Sequence, residues 1–557
     1  MSPRHSLVLA LLALVPHAFA QQLPSAGGQL QQIPPAPVPP RASPDVRIEQ
    51  QPAPSAKTDG LELPTISVRE LKVTGARAYS ESELVAMTGF VPGSRLSLAD
   101  LRALADKITQ HYRANGHFLA QAYLPAQEVR DNVVTIAVSE GQYGKVTLRN
   151  ATGFSDRLVL DDLQGLNPGD PILMEPLEHR LLLLSDLPGV NVRSTLVPGA
   201  SVGTSDLIVD VTPGQRVSGS IDADNAGNPY TGEVRLGATV NFNNLLGLGD
   251  VASLRLLSSG SGLNYGRASY QMQVGRAQVG VAYSRLDYTL GKQFRVLGAH
   301  GTAEIASLYG RYPLIRSRND NLFLQLAYDA KRFHDQLDAI PSVSDKRAGV
   351  LMTSIHGDHT DAAWGGSQTA YGLTWSAGTI DLQTPAVRAL DAATAQTQGH
   401  YNKLAFNAMR LQRLGGPFSM YLGANGQIAS KNLDVSEKME LGGMNAVRAY
   451  PEGEAYADEG YVLTLEARMD LPPLAVSMPG QMQLIGFVDS GHVRTNTDPW
   501  ATGPNSRTLH GAGVGANWSY PGSFSVRAYY ARKLGSGAAN SSPDKSGRAW
   551  IQLVKYF

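Results

Sequence analysis

The chain contains no cysteine in its 557 residues, which excludes a disulfide framework and any thiolate metal or redox site. It carries no net charge: 48 lysines and arginines meet 48 aspartates and glutamates, so the balance does not point to nucleic acid as a partner. Past the first 20 residues no apolar run approaches the roughly 18 residues of a membrane-spanning helix. That absence still permits a membrane barrel, whose strands need only about 9–11 residues with apolar side chains on one face. Catalytic signatures are missing as well. There is no Gly-x-x-x-x-Gly-Lys phosphate loop and no Ser/His/Asp spacing for a hydrolase. His356-Gly357-Asp358-His359 has ligand-type residues, but strand counting puts it in or beside a short turn, where a solvated segment is the simpler reading. Glu452, Glu454, Asp458 and Glu459 read in the same way, as an acidic, solvated loop. The expectation is a protein that is not an enzyme and holds no metal or cofactor.

What the sequence does contain begins with an export signal. Arg4 and His5 precede an apolar stretch over residues 7–15, and Ala18-Phe19-Ala20 stands before Gln21. Residues 1–20 are therefore expected to be a cleaved signal peptide. Residues 21–60 form a linker in which Pro34, Pro35, Pro37, Pro39, Pro40, Pro44, Pro52 and Pro54 favour polyproline II and oppose helix or ladder. Only residues 25–33 have room for a turn or two of helix, too short to stand unsupported.

Residues 61–141 read as a small module with the order β-α-α-β-β. A strand over 68–73 is followed by Ser80 and Glu83 at capping-box spacing, with a short helix ending at Gly89. Ser97 and Asp100 open a longer helix whose Leu101, Leu104, Ala105, Ile108 and Tyr112 share one face, and Gly116 stops it. Strands follow over 119–124 and 133–138. A second copy occupies residues 142–215, with helices near 155–164 and 175–187 and strands over 145–149, 190–197 and 206–211.

The strings Tyr112-Arg113-Ala114-Asn115-Gly116-His117, Leu124-Pro125-Ala126-Gln127 and Leu183-Leu184-Ser185-Asp186-Leu187-Pro188-Gly189-Val190 resemble the paired POTRA domains of two-partner secretion transporters. These are the TpsB outer-membrane proteins of haemolysin activation and secretion, the ShlB/FhaC/HecB-like family. The resemblance implies α+β periplasmic modules that bind substrate, with Tyr112, Arg113, Gly116, Leu124, Pro125, Leu187, Pro188 and Gly189 as the residues involved.

From residue 216 to 557 the pattern changes to long alternating strands. Leu322, Leu324, Leu326, Tyr328 and Ala330 oppose Asn321, Gln325, Asp329 and Lys331; Tyr461, Leu463, Leu465, Ala467 and Met469 oppose Thr464, Glu466, Arg468 and Asp470. About sixteen antiparallel strands of this kind fit a transmembrane β-barrel with its apolar face on lipid and its polar face on a wet lumen. Short connections at 243–250, 275–276, 414–417 and 520–522 alternate with often longer ones at 287–301, 380–400, 430–460 and 492–507, as periplasmic turns alternate with outer loops. Tyr556-Phe557 resembles a barrel-assembly signal, which adds the assembly machinery and outer-membrane lipid to the expected partners. Lys555 stands where that signal usually has an aromatic, and residues 548–557 alternate poorly.

Three strings of the barrel half also resemble the family: Tyr312-Pro313-Leu314-Ile315-Arg316-Ser317-Arg318, Val447-Arg448-Ala449-Tyr450-Pro451-Glu452-Gly453, and Phe487-x-Asp489-x-Gly491. Alternation alone puts Asp489 on the lumen face with Gln481 and Gln483, opposite Met482, Leu484 and Val488. The resemblance implies the rest: loop 431–460 folds back into the barrel and Arg448 contacts Asp489. A guanidinium suits that task because it donates paired hydrogen bonds in a fixed plane. Two features depart from the family pattern. Ala449 replaces its usual glycine, so an ordinary backbone conformation is expected there, and the prolines after residue 33 leave little room for a long plug helix. The implied activity is transport of a large, unfolded, haemolysin- or adhesin-like exoprotein across the outer membrane of a Gram-negative bacterium, with its activation as a further expectation. An insertase of the same superfamily would share barrel and loop but usually carries more POTRA modules. A general porin would have no use for the modules, and a membrane-embedded hydrolase would need the catalytic cluster that is missing.

Overall fold

The computed structural model describes residues 24–38, 65–473 and 479–557; the expected signal peptide and the rest of the linker lie outside the described residues. Sixteen antiparallel strands close into a barrel in sequence order, from Val217–Asp224 to Gly547–Tyr556. Alternation decides which face is which. On strand Asp320–Leu337, Leu326 and Tyr328 are 50% and 49% exposed, while Lys331, of the opposite parity, reaches Glu437 inside. Strand Glu459–Asp470 likewise turns Tyr461, Leu463 and Leu465 outward and buries Glu466. A greasy exterior around a polar interior inverts the arrangement of a soluble protein and matches a bilayer. No helix among the described residues is long and apolar enough to cross a membrane; the outward strand faces supply the crossing surface.

The connections differ from the expected pattern in one respect. At the end away from the modules, connections 259–262 and 338–341 are as short as turns, while 383–398, 430–458 and 495–505 are long. The second of these joins unusually long strands: Asp320–Leu337 has 18 residues and Ser342–Asp361 has 20. That is about twice the length a bilayer requires, so ladder replaces loop outside the membrane. The terminal strand, which alternates poorly in sequence, is nonetheless complete. It pairs nine residues with Phe524–Lys533 and five with Val217–Asp224, against eighteen between Asp320–Leu337 and Ser342–Asp361.

Two small modules are built on the order β-α-α-β-β, the first with an added two-stranded sheet of Ile66–Val68 against Ser94–Leu96. In the first, Glu70–Thr74 runs parallel to Val133–Ser139, which pairs antiparallel with Gln121–Tyr123. Ser97 and Asp100 form a complete capping box on helix Leu98–Ala114. Gly116, at φ +89°, lets the His117 N–H return to the Tyr112 carbonyl at 3.0 Å. The second sheet has the order Gln142–Asn150, Thr204–Pro213, Val190–Pro198, with helices Asp156–Leu163 and Met174–Ser185 against it.

Asp162, on the first of those helices, is 4% exposed. Burial pushes its carboxyl up to about 6, against the opposing pull of Arg276 and Arg180. A carboxyl raised in the folded state binds more protons there, so its stabilisation is complete below the unfolded value near pH 4 and is lost as pH rises through about 6, a change of about 1–3 kcal/mol. The protection of helix Asp156–Leu163 against hydrogen exchange, taken relative to the intrinsic rate at each pH, is expected to fall between pH 4 and 7 in the native chain and to stay level in Asp162→Asn.

The second module is clasped to the barrel mouth. Arg316 donates to both carboxylate oxygens of Asp186 at 2.7 and 3.0 Å, Arg318 meets Glu178 at 2.7 Å, and His179 Nδ1 lies 2.8 Å from the Arg316 carbonyl oxygen. The string 312–318 singled out in the sequence is thus a joint. The N-terminal segment enters the lumen as helix Ala26–Gln31, capped by Ser25, with Ala26–Gln29 fully covered. Six residues cannot hold a helix in water; the barrel supplies what is missing. The Ala26 N–H donates to Asp335 at 2.7 Å, Arg235 donates to the Gln32 carbonyl at 2.8 Å, and the Gln32 amide donates to the Tyr456 hydroxyl at 2.6 Å.

Candidate functional site

Loop 430–458 leaves strand Phe418–Ala429, folds into the lumen and returns as strand Glu459–Asp470. Its stem is a small hairpin, Met439–Leu441 against Ala455–Ala457. Gly442 and Gly443, at φ +104° and +97°, bend the chain out of that stem in a conformation that few other residues adopt. The wall it faces is set by register: Thr464 lies opposite Asp489 and Glu466 opposite Phe487. Four lumen side chains on two neighbouring strands therefore surround one point.

Arg448 fills that point. It is 4% exposed and Asp489 is 0%. Its Nη2 and Nε donate to the two Asp489 oxygens at 2.7 and 2.9 Å, and its backbone N–H donates to the same carboxylate at 3.1 Å. Nη1 donates to Glu466 at 2.8 Å. The guanidinium carbon stands 3.4 Å from the Phe487 ring centroid, a stacking a lysine could not reproduce. The Thr464 hydroxyl donates to Asp489 at 3.1 Å, and the Trp550 indole N–H donates to the Arg448 carbonyl at 2.7 Å. The second oxygen of Glu466 takes two bonds from Arg468, at 2.8 and 2.6 Å. Two arginines thus meet two carboxylates with their fixed charges balanced, the condition under which buried ions are tolerated.

The flanking residues shape the seat. Val447, Ala449 and Tyr450 are buried. Ala449 is absent from the positive-φ residues, and its methyl lies where a Cβ on Gly511 would collide. The Tyr450 hydroxyl donates to the Gly537 carbonyl at 3.0 Å. Pro451 is buried, Glu452 accepts the Met444 N–H at 2.8 Å, and Gly453 donates its N–H to Glu440. Gly491 has no room for a Cβ because Leu441 and Val447 occupy the space, which accounts for glycine two residues after Asp489.

Several expectations are corrected here. The acidic stretch is not a solvated loop. Glu454 is 4% exposed and takes Arg507, the Ser541 hydroxyl and the Asn540 N–H; Asp458 is 0% exposed and pairs with Lys438 at 2.7 Å. These acids are covered because the loop lies inside the barrel. Among the described residues no group of acids and histidines is arranged to hold a metal. His356 and His359 stand within strand Ser342–Asp361 near its turn; His356 stacks on Phe323 and His359 bonds Asp320. Of the eight module residues, Arg113 alone is exposed. Tyr112 is fully buried, donating to Glu140 at 2.8 Å, and Leu187 is 3% exposed in the second module's core. A direct substrate contact is therefore corrected to a packing role for these two. Leu124 and Pro125 are half-buried, Pro188 and Gly189 sit at the joint, and a Cβ on Gly189 would press on Asn243 of the barrel. Sequence reasoning missed Glu466 and Trp550 as partners of Arg448. Alternation already turned Glu466 inward; the register that brings it to Arg448 was not visible.

The haemolysin secretion/activation protein family ShlB/FhaC/HecB matches residues 203–518, more than half of the chain. This chain belongs to that family. The ShlB-type POTRA domain matches residues 66–141. The transporter is 28% identical over 573 residues to the heme/hemopexin transporter protein HuxB of Haemophilus influenzae strain 86-028NP, covering 100% of both chains. It is 23% identical over 480 residues to the outer membrane transporter CdiB of Dickeya dadantii strain 3937, covering 83% of this chain and 82% of that one. The solved structure of CdiB from Escherichia coli shares the fold at a TM-score of 0.66 and 21% identity, covering 90% of this chain and 92% of that one. The protein is thus an outer-membrane transporter of the two-partner secretion type, its POTRA modules periplasmic and its barrel in the outer membrane. Members of the family are transporters, not enzymes.

Proposed function

We propose that this transporter binds one large secreted partner in the periplasm while it is unfolded and conducts it through the barrel to the cell surface, activating it on the way. The observation that carries this reading is the Arg448 seat: a loop tip held inside the lumen by a balanced, buried charge cluster is an obstruction that can leave without breaking the barrel ladder. Edge strands Glu70–Thr74 and Gln121–Tyr123 of the first module, and Gln142–Asn150 and Val190–Pro198 of the second, offer unpaired backbone groups to an extended segment, a mode needing little sequence. The clasp of Asp186 and Glu178 to the barrel then delivers that segment to the mouth. With no nucleotide motif in the sequence, folding of the partner outside supplies the drive.

The full-length relative HuxB is named for heme and hemopexin transport, which makes a hemopexin-linked exoprotein the first cargo to assay. The test is secretion in a strain carrying only this transporter and the exoprotein encoded beside it. Full-length transporter is expected to place the partner outside the cell, and a variant lacking residues 65–213 to leave it in the periplasm. Secretion unaffected by that deletion defeats the docking step, and defective assembly of other outer-membrane proteins would favour an insertase.

A further inference from the structure

The long strands at the extracellular end carry a row of charged residues on their outward, lipid-side face. Register places Arg285 opposite Glu304, Glu304 opposite Arg332, Arg332 opposite Arg347 and Arg347 opposite Asp381, one rung crossing five neighbouring strands. All share parity with exposed apolar residues lower on the same strands: Tyr283, Leu308, Tyr328 and Leu351 are 45–54% exposed. Leu322 to Arg332 is ten residues along one strand, roughly 25 Å along the membrane normal at the usual tilt, the height of a barrel's apolar band. The row therefore stands at the upper edge of the bilayer, at headgroup level.

The carboxylates of this region already have partners. Asp287 and Glu304 bind Arg285 at 2.8 and 2.9 Å, Asp381 meets Arg388 at 3.6 Å, and Asp345 meets His334 at 2.6 Å. Arg332 and Arg347 have neither an ion pair nor a hydrogen bond among the described residues, and both are exposed. Like charges directly opposite on paired strands repel, and two unneutralised arginines at the edge of a hydrocarbon layer repel more strongly than in water. An anion between them removes that cost. We propose that Arg332 and Arg347 bind a phosphate group of lipopolysaccharide, the phosphorylated glycolipid of the outer leaflet. Planar guanidinium forks match phosphate oxygens in pairs, and acyl chains from the same molecule would lie on the Tyr328–Leu351 face directly below.

The test uses purified full-length transporter in detergent, titrated by native mass spectrometry with lipopolysaccharide, with the same material after enzymatic removal of its lipid A phosphates, with phosphatidylglycerol and with inorganic phosphate. The expected result is binding of intact lipopolysaccharide that weakens on the order of tenfold in Arg332→Gln/Arg347→Gln, and to a similar extent on dephosphorylation with the native protein. Equal affinity of native and double variant overturns the proposal. So does equal binding of the dephosphorylated form, which decides the matter even where the variant does not assemble. Phosphatidylglycerol or inorganic phosphate binding as tightly as lipopolysaccharide would assign the pair to anions in general and overturns the glycolipid.

Discussion

Arg448→Ala is expected to abolish export of the partner while leaving a barrel that still shows the slow electrophoretic shift of a folded outer-membrane protein on heating. The substitution leaves Asp489 buried with the Thr464 hydroxyl as its remaining side-chain donor and removes one of two cations from Glu466. Breaking one partner of a buried pair costs about 3–5 kcal/mol, most of it the uncompensated charge left behind. That cost falls on the loop's docking, since the sixteen-strand ladder is made without it. Arg448→Lys is expected to fail as well, because one ammonium cannot span both carboxylates or stack on Phe487. Undiminished secretion by the alanine variant would refute a role for this seat in transport.

The second large effect is expected at Glu437. It binds Lys331 at 2.7 Å and Lys403 at 2.9 Å, from strands Asp320–Leu337 and Gly399–Gly415, with its own side chain 2% exposed. Glu437→Ala leaves two shielded ammonium groups facing each other, and a loss of about 3–5 kcal/mol is expected at the base of the loop. The N-terminal helix rests on the same spot: Gln31 donates to the Ser436 carbonyl, and Gly27 lies so close to Ser436 that a Cβ would collide. The loop base and helix Ala26–Gln31 should therefore loosen together, giving faster hydrogen exchange over 26–31 and 430–438 and a higher conductance in planar bilayers. If both segments stay as protected as in the native chain, this ion triad does not hold the lumen closed.

Much of the architecture was legible because its causes are local. Period-two alternation assigns a lipid face and a lumen face to the barrel strands other than the last, so the inward aim of Asp489 and Glu466 follows from spacing alone. Capping residues such as Ser97 with Asp100, and Gly116 after the helix, mark module boundaries within a few residues of where they act. The acidic run 452–459 misled for the opposite reason. Carboxylates read as solvated when their partners are far away in sequence, and Arg507 and Ser541, which neutralise and cover Glu454, lie 53 and 87 residues on.

The sequence by itself determined the two β-α-α-β-β modules, the barrel and which of its side chains face the lumen, because helix caps and strand alternation depend only on neighbouring residues. Tertiary structure alone decided that Glu466 joins Asp489 on Arg448, that a six-residue N-terminal helix survives inside the pore, and that Arg332 and Arg347 stand unneutralised at the membrane edge. Each of those depends on register or closure, which set side by side residues 18 positions apart, as for Arg448 and Glu466, or 309 apart, as for Ala26 and Asp335, and such pairings leave no periodic trace in the chain.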